Sequence, residues 1–314
     1  MSDLWNDKKV LVTGAHGFVG SNLTPILNKL PISNLLTPTR SECDFTSEES
    51  VKNYFSYHKP NIVLHLAGKV GGIAINKIQP GKFFYDNAMM GILITHHAYL
   101  NGAEKLVSLA AGCGYPTDLE APFTEKVFWN GLPDMNSYGY AMAKKNLIIQ
   151  SWAYREQYGF DSTVLLPANL YGPFDNFNLE TSHVVPALIR KFIEAVENNS
   201  PEVEIWGSGN ASREFLYAGD TAEAIINIAE KATDSGPYNL GTGTETSIKE
   251  LVEIIKEATS FKGNISWNSS RPDGQKRRYY DMSKFKEITG YIPNTSLKEG
   301  VKKTVDWYKS NQKL

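Results

Sequence analysis

The chain has 314 residues, 41% of them hydrophobic, and a formal net charge of −2. That is enough material for a sizeable core, and the absence of any long basic or acidic run argues against a nucleic acid or an anionic membrane as the main partner and for small-molecule chemistry. No apolar run approaches the roughly 18 residues of a membrane span, residues 1–9 lack the order of a signal peptide, and Cys43 and Cys113 form neither a metal-ligand spacing nor a disulfide framework, so a reducing, cytoplasmic setting is expected.

The first strong pattern is the apolar, β-branched run from Val10 to Thr13, which breaks into Gly14-x-x-Gly17-x-x-Gly20 and resumes with helical spacing at Leu23, Ile26 and Leu27. It reads as strand, tight turn and helix. Gly14 allows the turn, Gly17 lets backbone N–H groups approach a pyrophosphate, and Gly20 lets the helix pack close, so a dinucleotide is expected at the helix N-terminus. His16 lies inside this loop and faces either phosphate or solvent. Asn34 to Arg40 reads as a short second strand with a basic end, followed by Cys43-Asp44-Phe45. An Asp or Glu at the strand end would suit the ribose of NAD, whereas Arg40 suits the extra 2′-phosphate of NADP, which is therefore the preferred cofactor.

Ser47 to Tyr57 has a helical pattern with Ser47 as its cap, and Asn61 to Ala67 is a buried-strand run leading to Gly68, Gly71 and Gly72. His65, inside that run, reads as a packed, hydrogen-bonded core histidine. A long helix is expected over Pro80 to Asn101, a strand over Lys105 to Ala110, and a loop from Ala111 to Pro116. Tyr140 and Lys144, four residues apart, then share one face of a helix that runs to about Tyr158. A lysine beside a phenol favours the phenolate and prepares it to exchange protons with a carbonyl. Tyr280 and Lys284 repeat the spacing, but they follow a polar Pro-Asp-Gly stretch far along the chain from the cofactor loop, so the first pair is the catalytic candidate.

Ser162 to Pro167 is a further strand, and to this point β and α alternate, which predicts an α/β, Rossmann-type, doubly wound parallel sheet. After Pro173 the rhythm changes: Ser182 to Val196 is helical, Val203 starts a short strand, and Arg213 to Tyr217 with a helix over Thr221 to Ala232 returns to the first unit. The expected division is 1–172 plus about 214–242 for the cofactor, and about 173–213 plus 243–314 for a smaller, mixed α/β substrate domain.

Together, the glycine loop, Tyr140-x-x-x-Lys144 and Asn169-Leu-Tyr-Gly-Pro173 resemble the extended short-chain dehydrogenase/reductases that act on nucleotide sugars. Lys69-Val-Gly-Gly-Ile73, Cys113-x-Tyr-Pro116, Ser182-His-Val-Val-Pro-Ala-Leu188, Trp206-Gly-Ser-Gly209, Arg213-Glu-Phe-Leu216 and Arg271-Pro-Asp-Gly274 narrow the resemblance to the GDP-L-fucose synthase family, along nearly the whole chain. That family 3,5-epimerises and 4-reduces GDP-4-keto-6-deoxymannose.

The resemblance implies that NADP(H) is held by Gly14, His16, Gly17, Phe18, Val19 and Gly20, by Arg40 and Asp44, by Leu66, Ala67 and Gly68, and by Lys144, Pro167, Asn169, Leu170 and His183. Tyr140 would protonate the C4 oxygen, Lys144 would hold the nicotinamide ribose, and Cys113 with His183 would be the epimerising acid/base pair, a thiolate and an imidazolium being suited to it. Asn169, Lys191, Trp206, Arg213 and Arg278 would bind the GDP-linked 4-keto sugar. A homodimer through the helices at about 82–101 and 140–158 follows from the resemblance alone. Where the family carries a serine that hydrogen-bonds the ketone, this chain has Ala111, and one lost donor of that kind costs roughly 2.7 to 4 kcal/mol. The smaller loop leaves room for a larger sugar such as a heptose. The alternatives are a pure C4-reductase acting after a separate epimerase, a 4-epimerase or dehydratase with tightly held NAD, and a dinucleotide-binding protein without turnover.

Overall fold

In the computed structural model, which describes residues 3–270 and 275–312, the strands are β1 (Lys9–Thr13), β2 (Asn34–Leu36), β3 (Ile62–His65), β4 (Lys105–Leu109), β5 (Ser162–Pro167), β6 (Asn169–Tyr171), β7 (Glu202–Trp206), β8 (Ser212–Arg213), β9 (Phe215–Tyr217), β10 (Tyr238–Leu240), β11 (Thr246–Ser247), β12 (Asn264–Asn268) and β13 (Arg277–Arg278). The helices are α1 (Phe18–Leu27), α2 (Glu48–His58), α3 (Ile73–Ile78), α4 (Pro80–Leu100), α5 (Tyr138–Tyr158), α6 (Val184–Glu197), α7 (Ala218–Lys231), α8 (Ile248–Thr259), α9 (Ser283–Thr289) and α10 (Leu297–Asn311). The Arg271-Pro-Asp-Gly274 motif lies outside the described residues.

Six parallel strands form the main sheet in the order β10-β5-β4-β3-β1-β2. Its central strands are nearly all apolar because both faces are covered. Alternation along β1 sends Val10 and Val12 into a core with Leu23 and Leu27 of α1 and Ile225 and Ile228 of α7, and Leu11 into the opposite core with Phe55 of α2 and Ile94 of α4. The strand order reverses between β1 and β3, which places the ligand crevice at their carboxyl ends.

A separate core away from the main sheet gathers Val185, Ile189 and Phe192 of α6, Val203 and Ile205 of β7, Leu251 and Ile255 of α8, and Val301 and Val305 of α10. The parallel pairs β6–β9 and β7–β12 and the three-stranded β11-β8-β13 sheet complete the architecture. In contrast to its neighbours in sequence, α9 packs into the first core through Phe285.

Two element boundaries differ from expectation by three residues or more. Strand β2 ends at Leu36 instead of reaching Arg40: Pro38 has no N–H to donate, and the Thr39 amide and hydroxyl turn back to the Glu42 carboxylate at 2.7 and 2.8 Å. Helix α7 begins at Ala218, ahead of the expected Thr221. The cap at Ser47 is present, its hydroxyl accepting from the Ser50 amide, and His65 is a neutral core residue, 2.8 Å from the Thr13 hydroxyl and held near a pKa of about 3 by burial and by Lys144.

Candidate active site

The glycine loop is fixed by close approach. Gly14 has a φ of +72°, and a Cβ there would stand 2.9 Å from the backbone of Ala67, while a Cβ on Gly20 would stand 2.2 Å from the Gly14 carbonyl. Helix α1 therefore starts against the end of β3. Gly17 is its N-cap and provides no side-chain acceptor, which leaves the first-turn amides at Phe18, Val19 and Gly20 available for an anion. The exposed His16 reaches the Thr37 carbonyl at 3.0 Å. Arg40 is exposed and pairs with Asp44 at 3.3 Å, and the Asp44 carboxyl is held below its ordinary range first by the Thr46 amide and hydroxyl, then by Arg40. An amide-lined turn, an open helix end and a cation just beyond β2 fit the phosphates of NADP(H).

At the end of β3, the Leu66 amide bonds to the Thr13 carbonyl and the Ala67 amide to the Thr13 hydroxyl. Gly68 lies so near α5 that a Cβ on it would be 3.2 Å from Lys144 Nζ. On the far side Pro167 ends β5, and Asn169, followed by Leu170, donates its side-chain amide to the Glu214 carbonyl at 3.0 Å. The glycine loop, the end of β3 and the start of α5 thus adjoin one another, with Pro167 at the carboxyl end of β5 in the same sheet.

Tyr140 and Lys144 occupy the first two turns of α5. Lys144 is buried, donates to the Leu109 carbonyl at 3.1 Å, and lies 5.9 Å from the centre of the Tyr140 ring. Burial lowers its pKa to about 8 and pushes the Tyr140 phenol well above its ordinary value, with Cys113 adding to that rise. The expected lowering of the phenol by Lys144 is therefore corrected: desolvation outweighs it, and the protein alone holds Tyr140 as a neutral proton donor.

Cys113 sits half-buried on the single 3₁₀ turn Gly112–Gly114. Burial raises its thiol to about 11 against the opposing pull of Arg278 and Lys144. His183 is the N-cap of α6, and although its ring is reached by solvent, the protein crowded around it lowers its pKa. The Gly72 amide bonds to the Thr181 carbonyl at 3.2 Å, which docks the loop carrying His183 on the loop after β3. The protein around them favours a thiol and a neutral imidazole, because desolvation opposes charge on either group.

The substrate candidates fall into two groups. Lys191 donates to the Glu204 carbonyl of β7, at whose end Trp206 is 63% exposed, so the indole is not a core residue. Arg213 and Arg278 are register partners on β8 and β13. Arg278 is half-buried and faces Cys113, so it is no solvated surface charge. Tyr280, set aside in sequence, is buried with its hydroxyl at Gly112, whereas Lys284 turns away to the Pro237 carbonyl and the Tyr238 ring. The second Tyr-x-x-x-Lys is thus no dyad, yet its tyrosine belongs to the site. Among the described residues no helix is long and apolar enough to cross a membrane.

A parallel sheet with a dinucleotide loop at its switch point and a Tyr–Lys pair beside it defines a nucleotide-dependent enzyme of the short-chain dehydrogenase type. The chain belongs to the NAD dependent epimerase/dehydratase family, which matches residues 10–241. Among its relatives, GDP-L-fucose synthase 1 of Arabidopsis thaliana is 38% identical over 99% of this chain and 95% of its own length. Among solved structures, a GDP-L-fucose synthetase from Naegleria fowleri bound to NADP superimposes with a TM-score of 0.92 at 30% identity, covering 98% of this chain and 94% of that one. A GDP-mannoheptose C4 reductase from Campylobacter jejuni with NADP bound gives 0.88 at 32% identity, covering 96% and 98%.

Proposed function

We propose that this enzyme reduces the C4 ketone of a GDP-4-keto sugar with NADPH and exchanges protons at C3 and C5 of the same sugar. The observation that carries the reading is the grouping of Tyr140, Lys144 and Cys113 beside the Gly68 loop, which a mere dinucleotide binder has no use for. The relatives and structural neighbours that handle GDP-linked sugars support the substrate class.

The glycine loop and Arg40 would hold the phosphates of NADPH, and Lys144 with the Gly68 loop its nicotinamide ribose; when bound, the cofactor supplies the hydride. Tyr140, half-buried and held neutral by desolvation, delivers a proton to the C4 oxygen as charge develops there. Neutral His183 accepts the proton α to the ketone and the Cys113 thiol returns one, roles that exchange once each group has reacted. Arg213 offers its guanidinium group to the diphosphate, Arg278 lies toward Cys113 instead, and Trp206 offers an exposed indole to the base or ribose. We further propose a division of labour between two domains, residues 1–172 with about 214–242 for the cofactor and about 173–213 with 243–314 for the GDP-sugar, and a homodimer in the cytoplasm.

A C4-reductase without epimerisation is the second reading, favoured by the absent hydroxyl at Ala111 and by the charge-suppressing environment of Cys113 and His183. Incubation with NADPH and GDP-4-keto-6-deoxymannose in D₂O separates the two. NADPH loss with deuterium at C3 and C5 supports the bifunctional enzyme, loss without deuterium supports the reductase, and no NADPH loss with this sugar or with its 4-keto-heptose counterpart would overturn both.

A further inference from the structure

Tyr280 is a buried group in the site that the chemistry above leaves without a role. It is 3% exposed and follows β13. Its amide donates to the Glu214 carboxylate at 3.0 Å, its ring lies 5.5 Å from that of Tyr115 and 6.3 Å from that of Phe123, and the adjoining Asp281 amide bonds to the Phe123 carbonyl at 2.9 Å. The ring is thus fixed, and its hydroxyl is directed at residue 112. A Cβ on Gly112 would stand 1.6 Å from Tyr280 Oη, so the hydroxyl fills the volume in which a side chain at 112 would begin. Against the rise that burial gives the Tyr280 phenol, Arg278, two residues before it, lowers it by charge and hydrogen bonding, and the same arginine lies within electrostatic reach of the Cys113 thiol, which it pulls down.

We propose that Tyr280 is a positioning residue: its hydroxyl takes the space released by Gly112 and holds the Arg278 guanidinium beside the Cys113 sulfur, giving a thiolate formed there a fixed counter-charge. The charged and titratable groups around Cys113 are Lys144 and Tyr140 from α5, Asp134 from the loop before α5, Arg278 from β13 and Tyr280 just after it. Of the two cations, Lys144 is engaged with the Leu109 carbonyl and gives up its proton near pH 8, below the range in which the thiol ionises. Arg278 keeps its charge throughout, so it is the partner that remains when the thiolate forms. A long, flexible arginine offers that charge at one place only if something restricts its rotamers, and the immobile tyrosine does so.

The role assigned to Cys113 rests on the function proposed above, but the test needs neither cofactor nor sugar, so the two can fail separately. The whole protein is treated with iodoacetamide between about pH 6 and 10, and labelling of Cys113 and Cys43 is followed separately by peptide mass spectrometry. Cys43, buried against the Ser50 carbonyl and hydroxyl, is the internal control. Tyr280→Phe keeps the ring packing, and Arg278→Gln removes the charge while keeping a polar side chain. Each is expected to slow Cys113 labelling at about pH 8 by roughly threefold or more, equivalent to about half a pKa unit, with Cys43 unchanged and the double variant no slower than Arg278→Gln alone. Unchanged or faster labelling in Tyr280→Phe, with Arg278→Gln slowed, would overturn the positioning role; unchanged labelling in both would overturn the counter-charge itself.

Discussion

Lys144 is only 4% exposed, yet it has to act as a cation. With a folded-state pKa of about 8 against an ordinary value of 10.5, the unfolded chain binds more protons between those limits, so the lysine makes the protein more stable as pH rises through that window, and its full cost is present below it. Lys144→Met should therefore be more stable than the parent at neutral pH, by roughly 3 kcal/mol from the shift less roughly 1 kcal/mol for the lost bond to Leu109. Denaturant unfolding at neutral and at alkaline pH checks the sign: the advantage has to shrink as pH rises toward 10.5. Tyr140→Phe isolates the chemistry. Its ring keeps the edge contact with Phe83 at 6.4 Å, so the melting temperature should hardly move, while NADPH oxidation on a GDP-4-keto sugar should fall by roughly 10²- to 10⁴-fold. A variant retaining more than about a tenth of the activity would remove the phenol as proton donor.

The β1–turn–α1 element depends on the absence of a side chain where two backbones meet. In Gly20→Ala the new Cβ would stand 2.2 Å from the Gly14 carbonyl and 2.5 Å from Ala15 Cα, so α1 has to withdraw from β1. A stability loss of roughly 1 to 3 kcal/mol or more is expected, together with loss of the upward shift in melting temperature that NADPH gives the parent; an undiminished shift would show that the loop tolerates the methyl group. This element was legible in sequence because each part of its signal is local: a β-branched run, three glycines and a helical period. Tyr140 and Lys144 were legible for the same reason, lying one helical turn apart. What was not legible depends on distant contacts. Nothing near Gly112 in sequence indicates that Tyr280 fills its space, and the protonation states of Cys113, His183 and Tyr140 follow from burial, which the chain acquires only on folding. The early end of β2 has a local cause in Pro38, which removes a donor from the ladder although the apolar residues before it continue the strand pattern.

At the scale of the whole molecule, one face of the α4–α5 pair is not covered by the chain's own cores. Tyr85 and Ile92 of α4, seven residues apart, point the same way, as do Met142 and Ile149 of α5, and all four are more than a third exposed. The two stripes adjoin, since the Gln150 side chain donates to the Ile92 carbonyl at 3.1 Å. A contiguous apolar surface of this kind is costly to leave in water, and two packed helices presenting it can meet the same face of a second copy about a two-fold axis. Ile149→Asp places a carboxylate on the exposed stripe of α5 where the two copies would meet. Sedimentation should show a dimer for the parent and a monomer for the variant, with the association weakened by roughly 100-fold or more. The site should be little affected, because Tyr140 lies in the first turn of α5 and Ile149 more than two turns further along. NADPH oxidation per chain is therefore expected to persist in the monomer. Loss of activity together with the dimer would mean that the partner's α4–α5 face holds the start of α5 in place, and a parent that sediments as a monomer would remove the dimer altogether.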